Sequence, residues 1–245
     1  MPPMPDLPPI VAYDEIDSTN LEARRRVDAG ETGPLWITAL WQTAGKGRRG
    51  RTWRSGAGNL AATLLLTTAK PPMEAAQIAF VAALAVADLA STYAPASKVS
   101  LKWPNDTLLA GRKMSGILVE SGPGGGGLWL AVGIGVNLGE APTDIERLAT
   151  ALADHMDGPP PGPAEALVTL AGAFEKWRGL WDLAGFAPIA EAWTQRAHGL
   201  GQACSARLPG ETIEGVAEGL DLDGALRLRL ADGTLRRITA GDVFF

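Results

Sequence analysis

The stretch Gln42-Thr-Ala-Gly-Lys-Gly-Arg-Arg-Gly-Arg-Thr-Trp53 follows directly on the apolar run Leu35-Trp-Ile-Thr-Ala-Leu-Trp41. Positions 45–51 hold only three glycines (Gly45, Gly47, Gly50) and four cations (Lys46, Arg48, Arg49, Arg51). The pattern reads as a strand that empties into a mobile basic loop. Glycine permits positive φ and close approach of the backbone to a ligand, while clustered guanidinium and ammonium groups neutralise phosphate or carboxylate. An anion site is the sharp reading and a solvated basic loop the bland one, and this segment alone weighs them about equally.

The rest of the chain makes that loop stand out. With 245 residues, 46% of them apolar, the sequence suits one large domain or a domain with a small appendage. Formal charge is -5 and the pI about 5.1, which argues against general nucleic-acid binding, since that needs a basic face rather than one loop. Cys204 is the only cysteine, so no intrachain disulfide forms and a reducing compartment is permitted. The opening Met1-Pro-Pro-Met-Pro-Asp6 lacks the features of a signal peptide. The most apolar window, Ala75 to Ala87, is interrupted by Gln77 and closed by Asp88, too short to span a bilayer. The expectation is a cytoplasmic protein without a membrane partner.

Upstream of the loop, five prolines in residues 1–9 make a loose arm, Ile10–Tyr13 a short strand, and Asp17-Ser18-Thr19-Asn20-Leu-Glu22 a helix start. Thr19 and Glu22 are spaced as a capping box, and Gly30 is the stop. Downstream, strands are expected at Asn59–Thr67, Lys98–Trp103 and Leu128–Asn137, with a helix over 73–92. A hairpin pairs Thr107–Leu109 with Met114–Glu120, closed by Ala110-Gly111-Arg112-Lys113, and Gly122–Gly127 reads as a flexible connection. Helices follow at 143–156, 164–182 and 186–198, the second carrying Leu167, Leu170, Phe174 and Trp177 on one face. From Gln202 the pattern changes to short strands (204–208, 213–220, 225–230 and 235–238) with Pro-Gly and Asp-Gly turns, a signature of a small antiparallel barrel. The spacing therefore predicts an α+β chain, with domains at 1–199 and 200–245 and a mixed sheet rich in neighbouring antiparallel strands.

Two nucleotide motifs fail. Gly45–Gly50 matches G-x-G-x-x-G literally, but no helix follows and the position twenty residues on is Lys70 rather than an acid. A Walker loop needs glycine at position 40 and Ser or Thr after Lys46, where the chain has Leu40 and Gly47. His155 and His198 lack clustered ligands for zinc, and Cys204 lacks a base, so a structural thiol is the reading there. What survives is a combination: the basic glycine loop, Lys102-Trp-Pro-Asn-Asp106, Gly111-Arg-Lys113-Met-Ser-Gly116 and Gly133-Ile-Gly-Val-Asn137. Taken singly, each is ordinary turn or packing chemistry.

Together and in this order they resemble the biotin protein ligases, in the monofunctional form without an N-terminal DNA-binding domain. The resemblance spans about residues 10–245 and is most specific over Gly45–Trp53 and Lys102–Glu120. Lys46 and Trp41 depart from the arginine and tyrosine common at these positions. The lipoate ligases and octanoyl transferases, of the same fold, lack both the basic loop and the Lys-Trp-Pro-Asn-Asp run. The resemblance implies a class II aminoacyl-tRNA-synthetase-like catalytic sheet followed by an SH3-like barrel. It also implies two-step chemistry: biotin and ATP give biotinyl-5′-AMP and pyrophosphate, and a lysine of a biotin carboxyl carrier protein then takes the acyl group. Lys113 and Arg48 are the implied catalytic cations. The biotin readers are Ser18, Thr19, Asn20, Gln42, Gly45, Lys46, Gly47 and Gly116, together with those two. Arg51, Trp53, Asn105, Asp106 and Asn137 are the implied ATP residues, with Asp106 reaching Mg²⁺ through the nucleotide. No nucleic-acid partner is implied, and a homodimer is left open. The competing expectations are another acyl-adenylate ligase of this fold, acting on lipoate or a fatty acid, and a non-enzymatic binder that docks RNA or protein through the loop and barrel.

Overall fold

Continuous apolar runs make strands buried on both faces, and alternating runs make strands with one wet face. The structure, a computed structural model, describes residues 7–54, 56–143 and 148–245. Seven strands form the larger sheet: β1 (Ile10–Ile16), β2 (Leu35–Gln42), β3 (Leu60–Thr68), β4 (Val99–Lys102), β5 (Asp106–Leu109), β6 (Arg112–Gly124) and β7 (Gly127–Val136). Their order is β1-β2-β3-β7-β6-β5-β4; β1 and β2 run parallel and each other neighbouring pair is antiparallel. The central position of β3 explains its composition, because Leu60 to Leu66 are all buried.

The helices are α1 (Thr19–Asp28), α2 (Pro72–Ala75), α3 (Ile78–Tyr93), α4 (Pro163–Ala184) and α5 (Ala187–Thr194). The period of two in β3 sorts its side chains. Leu60, Ala62 and Leu64 join the main core with α3 and α4, while Leu65 packs with Ala23 of α1, Ile37 and Trp129 on the opposite face. Fully buried Leu84 of α3 lies deep in the main core, where truncation to alanine costs about 2–5 kcal/mol. The run Pro72–Tyr93, at 22 residues, is longer than the sequence window suggested and apolar enough to cross a bilayer, yet 72% of its most apolar window is buried inside the fold. Packing of this face on the sheet accounts for its composition.

A second, smaller sheet contains β8 (Ala203–Arg207), β9 (Thr212–Leu220), β10 (Leu226–Arg229), β11 (Leu235–Ile238) and β12 (Asp242–Phe244). It is antiparallel throughout, in the order β11-β10-β9-β8-β12. Four of these strands follow the expected spacing. The fifth, β12, escaped it because three residues are too few to show a period. It pairs with β8 through Asp242↔Arg207 and Phe244↔Ser205.

Several local expectations are corrected. Ser18, not Thr19, stands at the N-cap of α1, and no side-chain capping bond forms there. The Thr19 N–H donates instead to Oε1 of Gln42 on β2 at 2.9 Å, and Glu22 accepts from Tyr13, Arg25 and Arg26, so tertiary partners replace the capping box. The hairpin turn is only Ala110-Gly111, both at positive φ, and β6 starts at Arg112, so Lys113 lies in a strand rather than in the closing turn. The glycine run at 122–127 is no loose connection: Gly122 pairs with Trp129 and Gly124 with Gly127 across a hairpin. A Cβ at Gly122 would meet the Trp129 ring at 2.8 Å, which is why glycine stands there. The helix expected over 143–156 is absent from its described part. Leu148 is 74% exposed, Ala149 bridges in parallel to Lys113, and Leu152–His155 is a single 3₁₀ turn. Ile145, part of that expectation, and the arm at residues 1–6 lie outside the described residues.

Candidate active site

The C-terminal end of β7 and the residue after it, Gly133-Ile-Gly-Val-Asn137, form a floor beside β3 and β6. Alternate residues of a strand share a face, so Gly133 and Gly135 point the same way. A Cβ at Gly133 would come within 2.2 Å of Asn20 Oδ1, and one at Gly135 within 2.2 Å of the Trp53 ring. The two glycines therefore let a helix N-terminus and an indole lie directly on the sheet. Between these covers is a cavity of about 200 Å³. Every site residue expected from the sequence lines it except Gly45. Gly45 has a backbone duty: Trp53 N–H donates to its carbonyl at 2.9 Å, and a Cβ there would collide with Trp53 O at 2.4 Å.

One end of the cavity is neutral. Ser18, Thr19 and Asn20 are buried where α1 begins, and Gln42 Oε1 accepts from the Thr19 N–H, with the Thr19 hydroxyl 3.1 Å away. Behind these uncharged lining groups, Thr63 of β3 and the carboxylate of Glu120 of β6 bond to Asn20. Neither was singled out in the sequence, since a threonine and a glutamate inside strands carry no local signal. The other end is charged. The basic loop makes a 3₁₀ turn at Arg48–Gly50, with Arg49 at φ 57, and closes through a Lys46↔Thr52 bridge. Arg49 and Arg51 both reach Asp242 of β12, at 3.3 and 2.9 Å. Arg48 donates to Asn105 Oδ1 at 2.9 Å and to the Gly241 carbonyl at 3.3 Å. Burial pushes the Arg48 guanidinium below its ordinary value, opposed first by the charge of Asp242. A sheltered cation whose direct partners are neutral oxygens is prepared for an incoming anion.

Lys113 is positioned by its backbone, which accepts from Thr150 N–H and donates to the Leu148 carbonyl, both at 3.0 Å. Its ammonium lies 2.6 Å from Asp106 Oδ1 and 5.9 Å from the centre of the Trp53 ring. Asn105 is fixed by donating to the Ile117 carbonyl at 2.7 Å. Asn137 is 2% exposed, and its Nδ2 donates to Thr150 O at 3.2 Å while Oδ1 has no partner. An orphan acceptor in a cavity wall is a ready site for a ligand N–H. Of the Lys102–Asp106 run, only Asn105 and Asp106 line the cavity. Trp103 instead donates to the Gly224 carbonyl, tying the two sheets together. Cys204 is buried in β8 and burial pushes its thiol up, in keeping with a structural role. Among the described residues no group of three or more His, Cys, Asp or Glu could hold a metal ion.

Comparisons with known proteins agree with this layout. The model of the Biotin/lipoate A/B protein ligase family matches residues 13–137, and that of the Biotin protein ligase C terminal domain matches residues 199–245. The Biotin--[acetyl-CoA-carboxylase] ligase of Paracoccus denitrificans is 45% identical over 94% of this chain and 97% of its own length. The bifunctional ligase/repressor BirA of Bacillus subtilis is 30% identical, over 96% of this chain and 73% of that protein. A solved biotin protein ligase from Aquifex aeolicus, in complex with biotin and ATP, superposes with a TM-score of 0.80 at 26% identity, covering 96% of this chain and 97% of that one. The chain therefore belongs to the biotin/lipoate A/B protein ligase family, among its biotin protein ligases.

Proposed function

We propose that this chain is an ATP-dependent biotin protein ligase. Biotin carboxylate attacks the α-phosphorus of ATP, the bond to the β-phosphate oxygen breaks, and pyrophosphate leaves. The neutral amine of a carrier lysine then attacks the acyl carbon of biotinyl-5′-AMP, loses its proton, and AMP departs. The observation that carries this reading is a single cavity with two chemistries: a neutral hydrogen-bonding end, and an end where Arg48 and Lys113 face inward. Two anions must meet in the first step, so sheltered cations are the physical requirement, and negative charge gathering on the α-phosphoryl oxygens is where they act.

Lys113 has three N–H groups and Asp106 engages one, which leaves two for the biotin carboxylate and the α-phosphate. Arg48 supplies the second cation. Ser18, Thr19, Asn20 and Gln42 read the ureido ring, with backbone groups at Lys46 and Gly47, and Gly116 leaves room for the Trp53 ring and the Lys113 ammonium beside the ligand. Gly45 contributes by holding Trp53. Trp53 shields the adenylate, Arg51 and Asn105 handle the phosphates, and Asn137 Oδ1 accepts from the adenine amine. Asp106 is one carboxylate beside the cations, which fits an Mg²⁺ ion that arrives on the nucleotide and keeps most of its waters rather than one in a protein cage. Bound Mg²⁺ would share the phosphate charge; the binding, orientation and water exclusion fall to the side chains above. No covalent enzyme intermediate is required, and positioning carries the catalysis.

The domain boundary is read at 199/200. The larger sheet is taken as the class II aminoacyl-tRNA-synthetase-like catalytic unit and the smaller as an SH3-like barrel. Support for the latter is the register shift in the β9–β10 pair, which bends the sheet. The acceptor is a biotin carboxyl carrier domain, and the setting cytoplasmic. The test is calorimetry with biotin, then ATP and Mg²⁺, with detection of biotinyl-5′-AMP. Pyrophosphate exchange driven by lipoate rather than biotin would transfer the chain to the neighbouring activity.

A further inference from the structure

Asn20 lies across β7 at Gly133, and the residues flanking that glycine in the sheet are Thr63 of β3 and Leu118 of β6. Both flanks grip the amide. Its Nδ2 donates to Glu120 Oε2 at 2.7 Å and, more weakly, to the Leu118 carbonyl at 3.4 Å, which engages both amide protons. On the other side Thr63 Oγ1 lies 2.7 Å from Asn20 Oδ1 and 2.8 Å from Thr19 Oγ1. A hydroxyl has one proton and an amide oxygen only accepts, so Thr63 gives its proton to Asn20 and is left to accept from Thr19. A flipped amide would set its oxygen against a carboxylate and a carbonyl, a costly arrangement for a residue only 5% exposed. What remains for a ligand is a lone pair of Oδ1.

We infer that Thr63, Glu120 and Gly133 are positioning residues that lock Asn20 as an acceptor, so that this corner of the cavity selects a ligand carrying an N–H. The inference rests on the reading of the chain as a biotin-activating enzyme and names a specificity device within it. A ureido N–H satisfies the oxygen, whereas a dithiolane ring or an alkyl chain leaves it buried and under-paired. Thr63 is fully buried and does not line the cavity, so it acts through Asn20.

The experiment is pyrophosphate exchange by the full chain with biotin and with its two mono-N-methylated ureido analogues. The wild type is expected to favour biotin over one analogue by tenfold or more in kcat/KM, on the scale of one buried unpaired group. Thr63→Val should raise the KM for biotin about tenfold and shrink that preference, leave the KM for ATP in place, and be rescued by Thr63→Ser. Glu120→Leu, at a partly exposed site, should shrink the same preference from the other side of the amide, and serves if Thr63→Val does not fold. An undiminished preference in folded variants overturns the inference while leaving biotin activation intact. Absence of biotin-dependent exchange in the wild type would instead overturn the underlying reading, and this inference with it.

Discussion

At one end of the cavity Thr19, Asn20, Gln42 and Thr63 close on one another through hydrogen bonds between neutral groups. At the other, Arg48, Arg49, Arg51 and Lys113 gather around two carboxylates, Asp106 and Asp242. The neutral end comes from one helix start and its adjoining strands, so its geometry rests on short directional bonds within one sheet. The charged end depends on a residue about 190 positions away, on a strand of the other sheet. Repulsion among cations on a glycine-rich loop disfavours any single loop conformation, and the carboxylate of Asp242 offsets it. One end is therefore ordered by its own fold, and the other by contact between two parts of the chain.

The largest effect expected is at Lys113. Lys113→Ala should fold yet lose a hundredfold or more of biotin-dependent pyrophosphate exchange, with Lys113→Arg restoring part of it. Undiminished exchange by the alanine variant would remove Lys113 from the chemistry. At the opposite end Gln42→Leu should mainly raise the KM for biotin, by about tenfold, because it removes ground-state recognition. If both substitutions changed the same kinetic parameter, the division between the ends would fail.

Asp242→Asn tests the dependence of the loop on the second sheet. Hydrogen exchange at residues 45–51 should quicken several-fold, while amides at Thr19 and Asn20 stay as protected as before. In the unaltered chain the same loop should gain protection on binding biotin, and equal protection with and without ligand would refute its role as a cover. The smallest effect expected is that of salt. Between about 0.05 and 0.5 M potassium chloride the KM for ATP should rise several-fold and that for biotin less than about twofold, since screening acts on exposed charges and little on neutral hydrogen bonds.

Strand positions, the long core helix and most of the second sheet were legible in the sequence, because period and turn chemistry are local. The site was legible as a set of motifs, but the reasons for its glycines were not: Gly133 and Gly135 make room for Asn20 and Trp53, which come from other segments. The hairpin at 122–127 was misread because six positions rich in glycine look unstructured until Trp129 is seen lying over Gly122. The 143–156 segment had helical spacing, yet residues 148–150 pair with the strand at Lys113 and only a single 3₁₀ turn follows at Leu152–His155, so pairing outweighs propensity there.

By itself the sequence determined most of the order of elements, the basic glycine loop that can surround an anion, and the lack of a nucleophile constellation. Tertiary structure alone decided how these groups are paired. Asp106 accompanies Lys113, Asp242 holds Arg49 and Arg51, and Thr63 with Glu120 orients Asn20. Hydrogen bonds and ion pairs act over a few ångströms, and only folding brings residues so far apart in sequence within that range.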